Sequence, residues 1–341
     1  MEDSSVTVED EIHLSPQAGS APPLPSYDVF LAAIGFESRA RFIAETLGIS
    51  AKRRVSCAFS ERRELSFATN YAWFRDAGYT LLECDDDGAE ESYFNELTKA
   101  FADGGLQRGL VRLCVDISSL SRVRMASLFA ALTRARRGPV EVDFLYAEAL
   151  YDPPSDDEPP IQAAGPVSSL FAGWSEEPEV PCVAIVGLGY ERERAVGALE
   201  LIEPATVWVF RPKSKDQRYD VAIDSANELL WDLERIGIAD YAVDRPLECF
   251  VRLESLAYGA LGSARPVIVP FGPKLFALNA LLVAALHWPK VTVWRVSSGQ
   301  LEKAVDRRPE GSVHGLRVKF DRRKSAESAD RESESRPVPA D

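Results

Sequence analysis

The stretch that decides the fold covers residues 110–136 and reads LVRLCVDISSLSRVRMASLFAALTRAR. It opens with an apolar run, Leu110 to Val115, that has the length and composition of a buried strand. A polar turn follows, and after the turn apolar residues recur at helical spacing. In open α/β sheets, ligands bind where strands end and helices begin. The stretch therefore predicts a strand–turn–helix unit whose turn forms part of a small-molecule site.

Similar patterns surround this stretch throughout the first half of the chain. Short apolar runs predict further strands at Val29–Ile34, Val55–Phe59, Thr80–Cys84 and Val140–Tyr146. Segments with helical periodicity separate these runs. Strands that alternate with helices in this way indicate a parallel sheet that is covered on both faces.

The second half of the chain repeats the first. Gly35-Phe36-Glu37 follows the first predicted strand, and Gly189-Tyr190-Glu191 stands 154 residues later, after a predicted strand at Val183–Val186. The remaining elements recur in the same order, with predicted strands at Val207–Phe210, Tyr241–Val243, Val267–Val269 and Val291–Val296. Units of this length are too long for a solenoid repeat, so the series indicates a tandem duplication. The predicted fold class is α/β, with two tandem Rossmann-like units that have mainly parallel sheets and form an intramolecular pseudo-dimer.

Composition sets the boundaries of these units. Acidic, Ser- and Pro-rich segments and apolar-poor charged segments are typical of tails and linkers. The predicted segments are a disordered acidic tail (1–26), a first unit (27–150), an acidic Pro-rich linker (151–179), a second unit (180–320) and a disordered tail (321–341). Within the second unit, Val313–Phe320 is a candidate edge strand.

The overall charge and residue usage exclude several classes of protein. A formal net charge of −14 and a pI near 4.9 argue against general binding to a nucleic-acid backbone, which needs a basic face, but leave room for a small basic pocket. No apolar run approaches the roughly 20 residues that span a bilayer, and the N-terminus lacks the apolar core of a secretory signal. The five cysteines are scattered without a CxxC pair, which indicates buried thiols rather than a metal site. We therefore expect a cytoplasmic protein that contacts no membrane and has neither a metal nor a cofactor.

The first group of candidate site residues is the turn after the first strand of each unit. It comprises Gly35, Phe36, Glu37 and Arg39 in the first unit and Gly189, Tyr190, Glu191 and Arg192 in the second. The glycines permit close approach of a ligand to the backbone, and the helix N-termini that follow favour anions. The alternatives are that the glutamates only stabilise helix dipoles and that the arginines form surface salt bridges. Arg192 replaces the third glycine of a dinucleotide-binding fingerprint, which argues against an NAD site.

The second group is the turn after the fourth strand of each unit. It comprises Asp116, Ser118, Ser119, Ser121 and Arg122 in the first unit and Gly272 and Lys274 in the second. Hydroxyl and backbone N–H groups bind phosphate oxygens, and an arginine can pair with a phosphate through two hydrogen bonds. The alternative is ordinary helix capping by Ser119 or Ser121, for which one hydroxyl suffices. The chain has no GxxxxGK[ST] sequence, which excludes nucleotide hydrolysis by a P-loop.

Basic residues also follow the second strand of each unit, in residues 59–63 (FSERR) and 210–215 (FRPKSK). In a parallel sheet these segments share an edge with the two groups of turns. They are either solvated loops or a further part of the site.

The two groups of turns resemble those of CARF and SAVED domains, the CRISPR-associated Rossmann-fold sensors. Those domains have a glycine turn after the first strand, matched here by Gly35, and a D-x-T-G-G-T-K-type turn after the fourth. VDISSLSRVRMA occupies the second place, with Ser119 and Leu120 at the two glycines and Arg122 at the lysine. The residues that match by position and chemistry are Asp116, Ser118, Ser119, Ser121 and Arg122. The resemblance covers about residues 27–300, and SAVED-like proteins fuse two such units in one chain.

The resemblance implies binding of a cyclic or linear oligonucleotide messenger, usually in prokaryotic defence. No effector domain is recognisable, so a separate effector protein is an expected partner. The sequence therefore favours a ligand-sensing or regulatory protein that binds a nucleotide-like, phosphate-bearing ligand between two units. Two alternatives stay open. One is an enzyme of the same fold that cleaves such a ligand with the help of Asp116 or a serine, and the other is a non-catalytic scaffold subunit.

Overall fold

The structure is a computed structural model that describes residues 4–15, 24–104, 109–154, 159–173, 179–233, 236–301 and 303–322. The strands are β1 (Ser4–Leu14), β2 (Tyr27–Ile34), β3 (Ala51–Phe59), β4 (Thr80–Cys84), β5 (Val111–Asp116), β6 (Val140–Ala149), β7 (Ala163–Pro166), β8 (Cys182–Gly187), β9 (Thr206–Lys213), β10 (Ile236–Ala242), β11 (Arg265–Pro270), β12 (Thr292–Ser297) and β13 (Pro309–Arg322). The α-helices are α1 (Phe42–Thr46), α2 (Phe67–Asp76), α3 (Ala89–Gly104), α4 (Arg122–Ala135), α5 (Arg194–Ile202), α6 (Gln217–Ala226), α7 (Pro246–Ala260) and α8 (Lys274–Leu286). None of the helices among the described residues has the length and apolar character needed to cross a membrane.

The strand–turn–helix unit predicted at residues 110–136 is confirmed as β5 and α4. Residues 113–115 of β5 are all buried, because both faces of this central strand are covered. α4 begins where Ser121 Oγ accepts a hydrogen bond from the Arg124 backbone N–H at 3.1 Å, which is an N-cap. Residues 124–132 of α4 are buried without interruption, so protein surrounds the helix on all sides.

The predicted α/β fold with two Rossmann-like units is confirmed. The first sheet has the order β1-β13-β6-β5-β2-β3-β4, and the second has the order β10-β9-β8-β11-β12-β7. In each unit five neighbouring strands are parallel, and the first of them along the chain lies beside the fourth. The strand order reverses at that point, which opens a crevice at the carboxyl ends of the strands.

The two units pack against each other through equivalent helices. α4 of the first unit contacts α8 of the second, and residues 275–285 of α8 are buried. Leu128 of α4 and Leu278 of α8 belong to one continuous hydrophobic core. The two units therefore share a core, as expected of a pseudo-dimer within one chain.

The disordered tail predicted for residues 1–26 is wrong for Ser4–Leu14, which form β1. This strand pairs antiparallel with β13. Val6 and Leu14 of β1 are buried, whereas most of the acidic residues between them are exposed. The acidic composition suggested disorder, but the alternation of apolar and polar side chains is that of a half-buried strand.

The boundaries predicted for the linker and the second unit also need correction. The predicted linker, residues 151–179, contains β7, which pairs antiparallel with β12 and extends the second sheet. The predicted second unit, residues 180–320, contains β13, which belongs to the first sheet. β13 is no edge strand either, since it lies between β1 and β6. By pairing there it covers the edge of β6, which would otherwise expose unpaired backbone groups.

The disordered tail predicted for residues 321–341 is wrong for its first two residues, because Asp321 and Arg322 are the last residues of β13. The remaining predictions of tail or linker fall on residues 1–3, 16–23, 155–158, 174–178 and 323–341, which lie outside the described residues.

Candidate functional site

A cavity of about 410 Å³ opens where the switch points of the two units face each other. It is lined by the first-strand turns, by the fourth-strand turns and by residues of the two connections that join the units. The volume falls within the roughly 300–1,000 Å³ that is typical of small-molecule sites. The turns that the sequence predicted as halves of one site therefore meet in one cavity.

Most of the predicted site residues line this cavity. They are Phe36, Glu37, Arg39, Arg122, Gly189, Tyr190, Glu191, Arg192, Gly272 and Lys274. Among the lining residues that the structure describes, eight are Arg or Lys and three are Glu. The chain as a whole carries a formal net charge of −14, so the cavity concentrates positive charge against the overall trend. A concave surface with such an excess attracts anions.

The other predicted residues lie behind the cavity wall. Gly35 packs against Ser119, and a Cβ at position 35 would come within 3.0 Å of the Ser119 Cβ. Ser118 Oγ accepts a hydrogen bond from the backbone N–H of Ala147 at 2.8 Å. Ser121 caps α4, as the capping alternative proposed. The hydroxyls predicted to donate to phosphate are thus directed into the fold rather than into the cavity.

Asp116 also lies behind the wall, at the end of β5, with 1% of its surface exposed. Its Oδ1 accepts the Ser118 backbone N–H at 2.8 Å, and its Oδ2 has no hydrogen-bond partner among the described residues. Burial raises the pKa of this carboxyl to about 6, although hydrogen bonds from Ser118 and the positive charges of Arg39 and Lys274 act in the opposite direction. The ionised carboxylate therefore destabilises the folded protein at neutral pH.

Replacing Asp116 by asparagine is expected to raise the free energy of unfolding at pH 7 by about 2 kcal/mol. Asparagine keeps the acceptor for Ser118 and removes the buried charge. Because the folded pKa lies above the ordinary value of 3.8, this carboxyl lowers wild-type stability as the pH rises from about 4 to about 6. Asp116→Asn should therefore gain least at pH 4, which urea unfolding at pH 4 and pH 7 measures. An equal difference between the two proteins at both pH values would contradict the expectation.

An ion pair shapes the first-strand turn of the first unit. Arg39 Nε donates to Glu37 Oε2 at 2.6 Å. Its Nη1 donates to Tyr146 Oη at 3.2 Å and to the Ala147 carbonyl at 3.0 Å. The salt-bridge alternative is therefore correct for Arg39, although the guanidinium is buried rather than at the surface. The pair preorganises this side of the cavity.

Two buried asparagines, which the sequence analysis missed, hold the first-strand turns in place. Asn70 Nδ2 donates to the carbonyls of Gly35 at 3.0 Å and Glu37 at 2.8 Å. Asn227 Nδ2 donates to the Gly189 carbonyl at 2.8 Å. In both units the asparagine comes from the helical region after the second strand, and this recurrence is the signal that could have found it.

Lys274, at the start of α8, joins the two units. Its Nζ donates to the carbonyl of Leu120 in the first unit. These two residues are 154 positions apart, the same spacing as the two first-strand turns, so the contact lies at the pseudo-symmetric centre of the molecule. Burial lowers the pKa of Lys274 to about 8, against the pull of Glu37 in the other direction. An anion bound beside this amine would stabilise its charged form and so raise its pKa again.

Glu191 connects the first-strand turn of the second unit to both fourth-strand turns. Its Oε1 accepts the Gly272 backbone N–H at 3.4 Å and lies 3.7 Å from Arg122 Nη2. Its Oε2 is buried without a hydrogen-bond partner among the described residues. The carboxylate thereby holds Arg122 of one unit beside the turns of the other.

An arginine covers the aromatic ring of each first-strand turn. Arg62 Cζ lies 5.3 Å from the centroid of the Phe36 ring, and Arg307 Cζ lies 5.3 Å from that of Tyr190. The Tyr190 ring also stacks with the Tyr219 ring, and the centroids of the two rings are 6.2 Å apart. Arg62 belongs to a predicted basic segment, whereas no sequence pattern pointed to Arg307, which lies in the connection that returns to β13. The cavity thus combines guanidinium groups with flat rings.

The basic segment of the second unit differs from that of the first. Arg211 pairs with Asp240 at 2.7 Å, and Lys213 pairs with Asp220 at 3.1 Å. These cations are neutralised within their own unit, as the solvated-loop alternative expects. Only Pro212 and Ser214 of this segment are among the described residues that line the cavity.

The sequence matches no protein-family model and no curated protein. Among solved structures, it is similar to a putative universal stress protein from Pseudomonas aeruginosa UCBPP-PA14, with 14% identity over 79% of this chain and 92% of that one and a TM-score of 0.25. It is also similar to a ketoreductase from the first module of phoslactomycin biosynthesis in Streptomyces sp. HK803, with 13% identity, coverage of 77% and 58%, and a TM-score of 0.21. A third similarity is to MurG of Acinetobacter baumannii, with 12% identity, coverage of 79% and 86%, and a TM-score of 0.19. Similarities at this level carry no argument about function.

Proposed function

We propose that this protein is a ligand-sensing or regulatory protein that binds a nucleotide-like, phosphate-bearing ligand in the cavity between its two units. One observation carries the proposal. A cavity lined by the switch-point turns of both units has eight Arg or Lys side chains against three Glu, in a chain with a formal net charge of −14. Such a local reversal of charge is typical of a site that recognises a compact polyanion.

The placement of the cations supports a phosphate group rather than a simple carboxylate. Arg122 and Lys274 are the first residues of α4 and α8, so each brings its charge to a helix N-terminus at the cavity. Helix N-termini and guanidinium groups together favour the multiple oxygens of a phosphate. Because α4 and α8 also form the interface between the units, a ligand at this point would bear on how the units pack.

The resemblance of the turns to CARF and SAVED domains supports a cyclic or linear oligonucleotide messenger and a role in prokaryotic defence. Under this proposal a separate effector protein reads the occupied state. The alternative of ligand cleavage has less support, because Asp116 does not line the cavity and Glu37 is already paired with Arg39. Glu191 does line the cavity, but its carboxylate is engaged by the Gly272 backbone N–H and Arg122. Incubation with each bound ligand, followed by chromatography, distinguishes binding from cleavage.

The double variant Arg122→Ala/Lys274→Ala is expected to weaken ligand binding at least about 100-fold, because two charge-assisted contacts to phosphate are lost. Isothermal titration of the wild type against nucleotides and against cyclic and linear oligonucleotides identifies the ligand, and the same titration of the variant gives the loss. Arg134→Ala is the matched control, since Arg134 is an exposed arginine of α4 outside the cavity lining. Absence of binding to the wild type, or equal binding by the double variant, would refute the proposal.

A further inference from the structure

The cavity has two aromatic–arginine pairs whose aromatic rings occupy equivalent positions in the two units. Arg62 lies over Phe36 of the first unit, and Arg307, from the connection to β13, lies over Tyr190 of the second. Phe36 and Tyr190 occupy the same place in their turns, directly after the glycine and directly before the glutamate. All four side chains line the same cavity. The duplication has placed one aromatic ring at each side of the molecule's pseudo-symmetric centre, and arginines from two unrelated segments turn each ring into a flat, cationic station.

Each station is suited to a planar heterocycle. Phe36 packs against one hydrophobic core of the first unit and Tyr190 against the core of the second, so each ring is backed by protein. A guanidinium plane held over an aromatic ring offers a flat surface on which a nucleobase stacks. Base stacking on such surfaces contributes binding energy with little dependence on the base.

The centre between the stations is suited to phosphates. Lys274 contacts Leu120 across the pseudo-symmetric centre, and the charges of Arg39 and Arg122 act on its amine. The lining residues that the structure describes carry eight basic and three acidic groups, a formal excess of five positive charges. One phosphate cannot balance this excess, whereas a bridge of several phosphates, each with about one negative charge, comes close to it.

We infer that the ligand class is a dinucleoside polyphosphate, in which two nucleobases stack on the two arginine–aromatic stations and the polyphosphate bridge lies over Arg39, Arg122 and Lys274. This inference rests on the proposed function, because it names the ligand of the same cavity. A mononucleotide would occupy one station only. A cyclic dinucleotide would reach both stations with fewer charges than the centre provides.

The probes are diadenosine tetraphosphate, cyclic di-AMP, ATP and inorganic tripolyphosphate, each titrated calorimetrically into the full chain. Diadenosine tetraphosphate is expected to bind with one molecule per chain and at least about tenfold more tightly than ATP or cyclic di-AMP. Arg62→Lys and Arg307→Lys keep the charge and remove the guanidinium plane. Each is expected to reduce the advantage of diadenosine tetraphosphate over tripolyphosphate by about tenfold.

Arg134→Lys is the control, because Arg134 also lies over an aromatic ring, with its Cζ 4.3 Å from the Phe94 centroid, but stands outside the cavity lining. It should leave all affinities unchanged. If ATP or cyclic di-AMP binds as tightly as diadenosine tetraphosphate, or if the two lysine variants keep its full advantage, the inference is overturned while the proposed function stands. If none of the probes binds and no other nucleotide or oligonucleotide does, the proposed function fails and takes the inference with it.

Discussion

Replacing Arg124 by methionine is expected to lower the free energy of unfolding by about 3–5 kcal/mol. The guanidinium of Arg124 is fully buried in α4 and donates to the carbonyls of Cys84 at 2.6 Å and Ala58 at 3.4 Å, at the ends of β4 and β3. It also pairs with Asp86 at 3.0 Å and lies 3.7 Å from the centroid of the Phe59 ring. Methionine fills a similar volume but removes the Arg124 donor from the two carbonyls and from the Asp86 carboxylate. Urea unfolding followed by circular dichroism measures the loss.

Arg122→Met provides the comparison, because Arg122 is two positions earlier on the same helix and partly exposed. Its replacement is expected to change the free energy of unfolding by less than about 1 kcal/mol. The sequence pattern pointed to Arg122 and not to Arg124. The two methionine variants therefore compare an arginine that lines the cavity with one that is buried in the core. Equal losses in the two variants would show that burial of the Arg124 guanidinium does not carry the stability assigned to it.

Replacing Gly272 by alanine is expected to lower the free energy of unfolding by about 3 kcal/mol or more. Gly272 has a φ of +70°, and a Cβ there would lie 2.1 Å from the carbonyl oxygen of Leu188. The backbone of the fourth-strand turn therefore touches the backbone of the first-strand turn at the switch point of the second unit. An alanine would have to separate the two turns, and thermal and urea unfolding would report the lost stability.

Gly48→Ala isolates the contribution of this contact. Gly48 has a φ of +56° and no other atom within 4 Å of the position its Cβ would take. The Gly48→Ala variant is therefore expected to lose only about 1 kcal/mol of the free energy of unfolding, from left-handed backbone strain. The difference between the two alanine variants measures the backbone contact at Gly272, and a difference near zero would refute it.

The alternation of strands and helices could be predicted because each central strand is a short apolar run between turns. β5 shows this most clearly, since it lies between β2 and β6 and its residues 113–115 are buried on both faces of the sheet. β1 escaped prediction because its signal is an alternation spread over acidic residues, and composition alone pointed to a tail. β13 was predicted as a strand over Val313–Phe320, but its place inside the first sheet was not. The place of β13 depends on a pairing with β6 between segments that are remote in sequence. A pairing of that kind leaves no local pattern.

The candidate site could be predicted as far as its backbone frame. Glycines and charged residues at strand ends mark the turns, and the duplication marks them twice. The direction of each side chain could not be predicted, because it depends on which backbone N–H and carbonyl groups the fold leaves without a hydrogen-bond partner. Ser118 turns inward since a backbone N–H of β6 requires an acceptor, and Asn70 holds the turn since two carbonyls require a donor. Arg307 reaches the cavity only because the chain returns to the first sheet.

The return of the chain to the first sheet through β13 fixes the order in which this sheet can form during synthesis. Among the described residues, β1 pairs only with β13, and β13 ends at Arg322. β1 therefore waits through the synthesis of both units before its partner exists, so the first sheet cannot be completed until β13 has been synthesised. Glu9, Asp10 and Glu11 put negative charge on that waiting strand, and charge of this kind keeps an unpaired strand from associating with its neighbours.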